Sequence, residues 1–141
     1  MRNRIWTALL LFAALPLVSL PGRAQNNAAA QQQSLEQGRR TYQIHCASCH
    51  GSTGQGDGPV AKDMKVTPTD LTRLSARNDG LFPRDQTYLI IDGRQETRGH
   101  GTSAMPVWGL SFQVQGSDKN QEAEVRERIL DLLAYLRSIQ K

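Results

Sequence analysis

The chain has 141 residues, enough for one modest domain, with 17 basic against 13 acidic residues and a formal net charge of +4. Arg2, Arg4 and Arg23 carry most of that surplus; from residue 25 onward 14 basic residues face 13 acidic ones, a net charge of +1. Nothing there supplies the dense basic face that nucleic-acid binding needs, and two cysteines are too few for a disulfide framework.

Residues 1–24 have the layout of a cleavable secretory signal. Arg2 and Arg4 form a positive start, Ile5 to Leu20 an apolar run, and Gly22 and Ala24 are the small residues before a cut after Ala24. The rival is an uncleaved anchor, but the run is 16 residues long and contains Pro16 and Ser19, short of the roughly 20 that a spanning helix needs. No later segment is apolar enough to span, so the mature form is expected to be soluble and exported. Residues 25–33, "QNNAAAQQQ", have nothing bulky to bury and are expected to be a flexible leader. The folded domain is then residues 34–141. Its few aromatics, Tyr42, Tyr88, Tyr135, Phe82, Phe112 and Trp108, leave room for a large apolar cofactor in a small core.

Residues 35–46 are expected to form a helix with Ser34 as its N-cap, placing Leu35, Gly38 and Tyr42 on one face. Gly38 costs a helix about 1 kcal/mol against alanine, which makes sense where another helix crosses closely. Both cysteines follow, in "HCASCHG". A disulfide across two residues removes little unfolded-state entropy. A thioredoxin-type dithiol needs a preceding strand and a βαβ pattern, and a structural zinc site needs a second ligand pair; neither is evident. C-x-x-C-H is also the c-type haem attachment signature. It explains all three residues: Cys46 and Cys49 as thioether anchors and His50 as the proximal iron ligand. His45 reads as an exposed helix residue.

"GQGDGP" at 54–59 reads as a tight loop. Met64 is expected to pack. A helix is expected at about residues 84–92, "RDQTYLIID", stopped by Gly93. Next comes "GHGTSAMPVWG", expected as an irregular loop. Met105, 55 residues after His50, is the main candidate for the sixth iron ligand and His100 is its competitor; a bis-histidine site would have the lower potential. Trp108 can line the haem pocket, bond a propionate or pack in the core. Arg73, Arg77 and Arg94 can reach a propionate, with solvated surface as the blander role. A long helix closes the chain from Asp118 to Gln140. Asp118 and Gln121 match a capping box, and Val125, Ile129, Leu132, Leu136 and Ile139 form its apolar stripe. No segment alternates convincingly as a strand, so the fold is expected to be all-α.

"CASCHG", "GQGDGP", "MPVWG" and "LLAYLRSI", in that order, resemble a bacterial class I cytochrome c over residues 34–141. The resemblance implies a cytochrome c fold, in which a glycine and an aromatic of the first helix, here Gly38 and Tyr42, pack on the last helix. It implies one covalent haem c, with His50 and Met105 as axial ligands. It further implies that the Pro59 carbonyl orients the ring of His50. The implied function is one-electron transfer in the periplasm between a donor dehydrogenase or reductase and an acceptor oxidase, without catalysis of its own. The alternative is a haem subunit or sensor that takes a small gas or peroxide at an open or displaceable sixth site.

Overall fold

The computed structural model describes residues 22–94, 105–113 and 121–141. Those residues form five α-helices: α1 (Gly22–His45), α2 (Ala47–His50), α3 (Arg84–Asp92), α4 (Trp108–Gln113) and α5 (Gln121–Ser138). Two short 3₁₀ turns lie between, at Ala61–Asp63 and Leu71–Arg73. No strand occurs among the described residues, and the all-α cytochrome c fold expected from the sequence is the one observed.

The two long helices, α1 and α5, form the main interface. At Gly38 a Cβ atom would stand 2.0 Å from the Asp131 carbonyl oxygen, so a larger residue would force the backbones apart. Ser34 lies inside α1 and donates its hydroxyl to Asp131 at 2.5 Å. One turn beyond Gly38, Tyr42 is fully buried, with its ring 5.2 Å from that of Tyr135. From α5, Val125, Ile129, Leu132 and Leu136 are buried as their spacing predicts, and Leu133 joins them. Each such aliphatic side chain stabilises the fold by roughly 1.5–3 kcal/mol. The predicted cap at Asp118 lies outside the described residues.

Two expectations about the first helix need correction. Residues 25–33 are helical and exposed, so α1 runs straight through the segment read as a flexible leader, and Ser34 is no N-cap. Three alanines and the flanking glutamines are favourable helix formers. A helix already anchored at its packed end extends at the cost of one residue's freedom per added hydrogen bond. Packing therefore is not needed to continue it.

α3 has the predicted bounds. Thr87 donates its hydroxyl to the Pro83 carbonyl at 2.7 Å near its start. At its end Gly93 turns into the left-handed region, φ 65°, and returns its N–H to Leu89 at 2.9 Å. The C-terminus is bracketed to the second 3₁₀ turn. Gln140 donates to the carbonyls of Leu71 (2.8 Å) and Leu136 (2.7 Å) and accepts from the Ser75 N–H at 2.8 Å, while Lys141 N–H reaches Thr72 at 2.9 Å. No described helix is long and apolar enough to cross a membrane.

Candidate functional site

The helical path of α1 continues through the cysteine turn. The Cys46 N–H donates to Tyr42 at 2.9 Å and the His50 N–H to Cys46 at 2.9 Å. One turn of helix thus carries Cys46, Cys49 and His50. Cys46 points into the central apolar cluster, while Cys49 and His50 are half-buried; neither thiol is in a disulfide. Burial, and secondarily Cys49, pushes the unmodified Cys46 thiol up to about 12, so it stays protonated.

The glycine-rich loop folds back over this turn and caps it. N–H groups of Gly56, Gly58 and Val60 donate to the carbonyls of His50 (2.8 Å), Cys49 (3.1 Å) and Ser48 (3.1 Å). These are among the carbonyls that a short helix leaves without internal partners. Tyr42 closes the other side, donating its hydroxyl to Gly51 at 2.6 Å. Burial keeps that phenol well above the usual tyrosine range, hence protonated and able to donate.

The orientation of His50 comes from a residue the sequence reading missed. Its Nδ1 lies 2.9 Å from the Thr69 carbonyl oxygen. Since a carbonyl only accepts, Nδ1 is the donor in this contact, which in the neutral ring leaves the lone pair on Nε2. The role expected for Pro59 is therefore filled by Thr69, and Pro59 itself is exposed. The reason is the direction of the two loop segments. Gly56, Gly58 and Val60 turn their N–H groups to the carbonyl end of the helix. Gly56, with φ 84°, lets the Pro68 carbonyl come within 2.3 Å of where its Cβ would be, and Thr69 is the next residue. Asp70 fixes that backbone by accepting from the Thr72 N–H (2.9 Å) and hydroxyl (2.6 Å), and the Leu71 N–H donates to Gly54 at 2.7 Å. The hydroxyl of Thr72 is the first cause that holds Asp70 below the usual carboxylate range. Pro68 before a capping aspartate was the only sequence signal, and it marks a turn without marking its target.

Met105 is half-buried and packs against the same apolar cluster that holds Cys46, as do Leu71, Phe82, Tyr88 and Trp108. Its rival His100 lies outside the described residues. Met64 is half-buried at the end of the first 3₁₀ turn. The loop expected at 99–109 ends sooner than expected, because Trp108 opens α4. Trp108 stacks on Phe112 at 5.6 Å, and the His45 ring meets both edge-on at 5.2 and 5.4 Å. His45 is thus half-buried rather than exposed. Burial and then Arg128, whose guanidinium sits 5.0 Å over Phe112, hold its imidazole below the ordinary value. Arg77 is engaged with the Asp70 carbonyl. Arg94 is held by Asp92 and Glu122 and is no solvated surface residue. Arg73 is exposed.

The donor set fits haem c. Two thiols and an imidazole with a fixed tautomer share one helical turn, a thioether packs on the cluster they adjoin, and half-buried apolar and aromatic side chains surround that cluster. Such a set suits a flat apolar macrocycle with iron at its centre. No curated protein and no solved structure matches the chain. A family described as cytochrome C oxidase, cbb3-type, subunit III matches residues 33–121, well over half of the sequence. The chain belongs to that family: it is a c-type cytochrome domain, a haem protein of electron transfer.

Proposed function

We propose that the protein is an exported, periplasmic monohaem cytochrome that passes single electrons from a dehydrogenase or reductase to an oxidase. It acts as a free carrier or as the haem subunit of such a complex, and the family description favours an oxidase partner. Residues 1–24 are removed on export, which takes Gly22, Arg23 and Ala24 from the start of α1. The mature chain then carries a near-neutral charge.

Cys46 and Cys49 hold the haem. Each thiol would hold the macrocycle through one thioether bond. Bound haem supplies a one-electron ferric/ferrous couple. His50 would hold the iron through Nε2 while the Thr69 carbonyl faces Nδ1, an arrangement that orients the ring and raises its basicity. Met105 would supply a thioether donor to the iron, and Trp108 would line the pocket. A thioether at that position raises the potential and closes the iron to other ligands, which suits electron transfer. Pro59 lies on the loop that caps the attachment turn.

The observation that carries this reading is the His50–Thr69 contact on the cysteine turn, beside an apolar cluster that also receives Met105. The test is the visible spectrum of the exported protein. Haem should remain with the chain after denaturation, and the ferric form should show the weak long-wavelength sulfur-to-iron band. Met105→Ala should abolish the band. A wild type that lacks the band and takes up carbon monoxide rapidly once reduced would refute the carrier reading in favour of a gas-binding one.

A further inference from the structure

We propose that Arg94 is a positioning residue for Met105, acting through an ionic clasp that joins the ends of α3, α4 and α5. The proposal rests on the reading of Met105 as an iron ligand. Arg94 donates Nε to Asp92 at 2.6 Å and both terminal nitrogens to Glu122, at 2.6 and 2.9 Å. One guanidinium thus spans two carboxylates from different helices, with the two-armed geometry that lysine cannot reproduce. The side chains of Asp92 and Arg94 are 8% and 20% exposed, whereas that of Glu122 is 70% exposed. The inner half of the clasp is therefore sheltered, and the outer half is reachable by substitution without disturbing the core.

The segment that carries Met105 sits directly on this clasp. Gly109 of α4 lies so close that a Cβ there would be 1.9 Å from Asp92 Oδ1 and 2.5 Å from Arg94 Nε. Two residues after Met105, Val107 packs against Gly93, its Cα 3.3 Å from where a Gly93 Cβ would stand. Val107 in turn accepts the N–H groups of Leu110 and Ser111, both at 3.2 Å. Val107 and Gly109 thus rest on residues 92–94, which the Arg94–Glu122 pair ties to the start of α5. Releasing Arg94 frees the platform on which Met105 stands. A thioether would hold the iron less tightly than the imidazole of His50, and it would release the iron more often when its platform moves.

The experiment uses the full haem-loaded protein, with imidazole as the probe. Imidazole competes with the thioether for ferric iron, and its apparent affinity rises in proportion to the fraction of open sites. Arg94→Gln and Glu122→Gln are each expected to raise that affinity by about tenfold and to weaken the sulfur-to-iron band. Arg94→Lys should recover part of the loss. Ser34→Ala, which breaks the hydrogen bond to Asp131 at the remote α1–α5 junction, should lower the unfolding midpoint without changing imidazole affinity. Glu122→Gln alters an exposed carboxylate, so a folding failure of Arg94→Gln still leaves a decisive variant. Wild-type imidazole affinity in Glu122→Gln, or an equal rise in Ser34→Ala, overturns the clasp while leaving the Met105 reading intact. A wild-type protein without the band refutes both.

Discussion

Replacing Gly56 by alanine should damage the His50 side of the site, and the structure allows the size of the effect to be worked out. Two costs combine. The residue has φ 84°, a region that costs an L-residue roughly 1–2 kcal/mol. Its Cβ would also stand 2.3 Å from the Pro68 carbonyl oxygen and 3.5 Å from the Asp70 backbone nitrogen. Neither atom belongs to a flexible side chain, so the loop itself must move, and such overpacking costs roughly 1–3 kcal/mol more. The total is about 3 kcal/mol. With a guanidinium slope of about 4 kcal/mol per molar, the unfolding midpoint should fall by about 0.75 M. Gly80→Ala is the control. Gly80 has φ 81° with nothing within 4 Å of its Cβ position, so it bears the conformational cost without the clash. Gly56→Ala must therefore be the more destabilising of the two. Equal midpoints would refute the argument that Gly56 exists to let Pro68, and with it the Thr69 carbonyl, approach His50.

Tyr42→Phe should cost about 1 kcal/mol, the net value of one hydrogen bond, because the Gly51 carbonyl it abandons still accepts the Gly54 N–H at 3.2 Å. Denaturant unfolding measures this, and an unchanged midpoint would mean that the hydroxyl is not holding the turn. His45 makes stability depend on pH in a stated direction. Its folded-state imidazole lies below the ordinary value of 6.5, chiefly through burial, so below 6.5 the unfolded chain binds a proton that the folded chain resists. Stability is therefore intact above that value and declines as the pH falls from 6.5 toward the folded value. His45→Leu should flatten that decline, and parallel curves for the two proteins would show that His45 does not titrate differently on folding.

The parts of the fold that could be read in the sequence are those governed by local pattern. α3 has its predicted ends because an apolar run meets a glycine that can adopt the left-handed turn. The α5 stripe at Val125, Ile129, Leu132 and Leu136 is periodic, and Gly38 stood out as a helix glycine needing a reason. The cysteine turn could be placed because residues spaced as Cys46, Cys49 and His50 fall within one helical turn. Thr69 was not, since it contributes only a backbone carbonyl, and any residue has one. The expectation for Pro59 placed the right kind of bond on the wrong loop. α4 was missed because Pro106 and Gly109 suggested irregular chain. In the folded protein Pro106 precedes the helix and Gly109 is the point where the helix touches Asp92 and Arg94. His45 followed from that omission: with no α4, nothing was there to cover it. The leader failed for a different reason, since low complexity was equated with disorder although its alanines and glutamines extend a helix readily.

The two sides of the site are held in physically different ways, and this asymmetry bears on function. His50 is adjacent to Cys49, its turn is capped by the N–H groups of Gly56, Gly58 and Val60, and its ring meets the Thr69 carbonyl, close to the Gln140 bracket. Met105 has no covalent neighbour that fixes it. It packs against the apolar cluster, and Val107 and Gly109 after it rest on residues 92–94, beside a guanidinium shared with α5. On the proposed reading, a Met105 thioether at the iron would raise the potential and exclude competing ligands. Substitutions around 92–94 and 122 should therefore act on ligand exchange at the iron before they act on haem retention. Substitutions around 54–72 should do the reverse, weakening the fold around the haem while the thioether bond persists. A haem protein built in this way would keep its cofactor by local chemistry and set its reactivity by long-range packing.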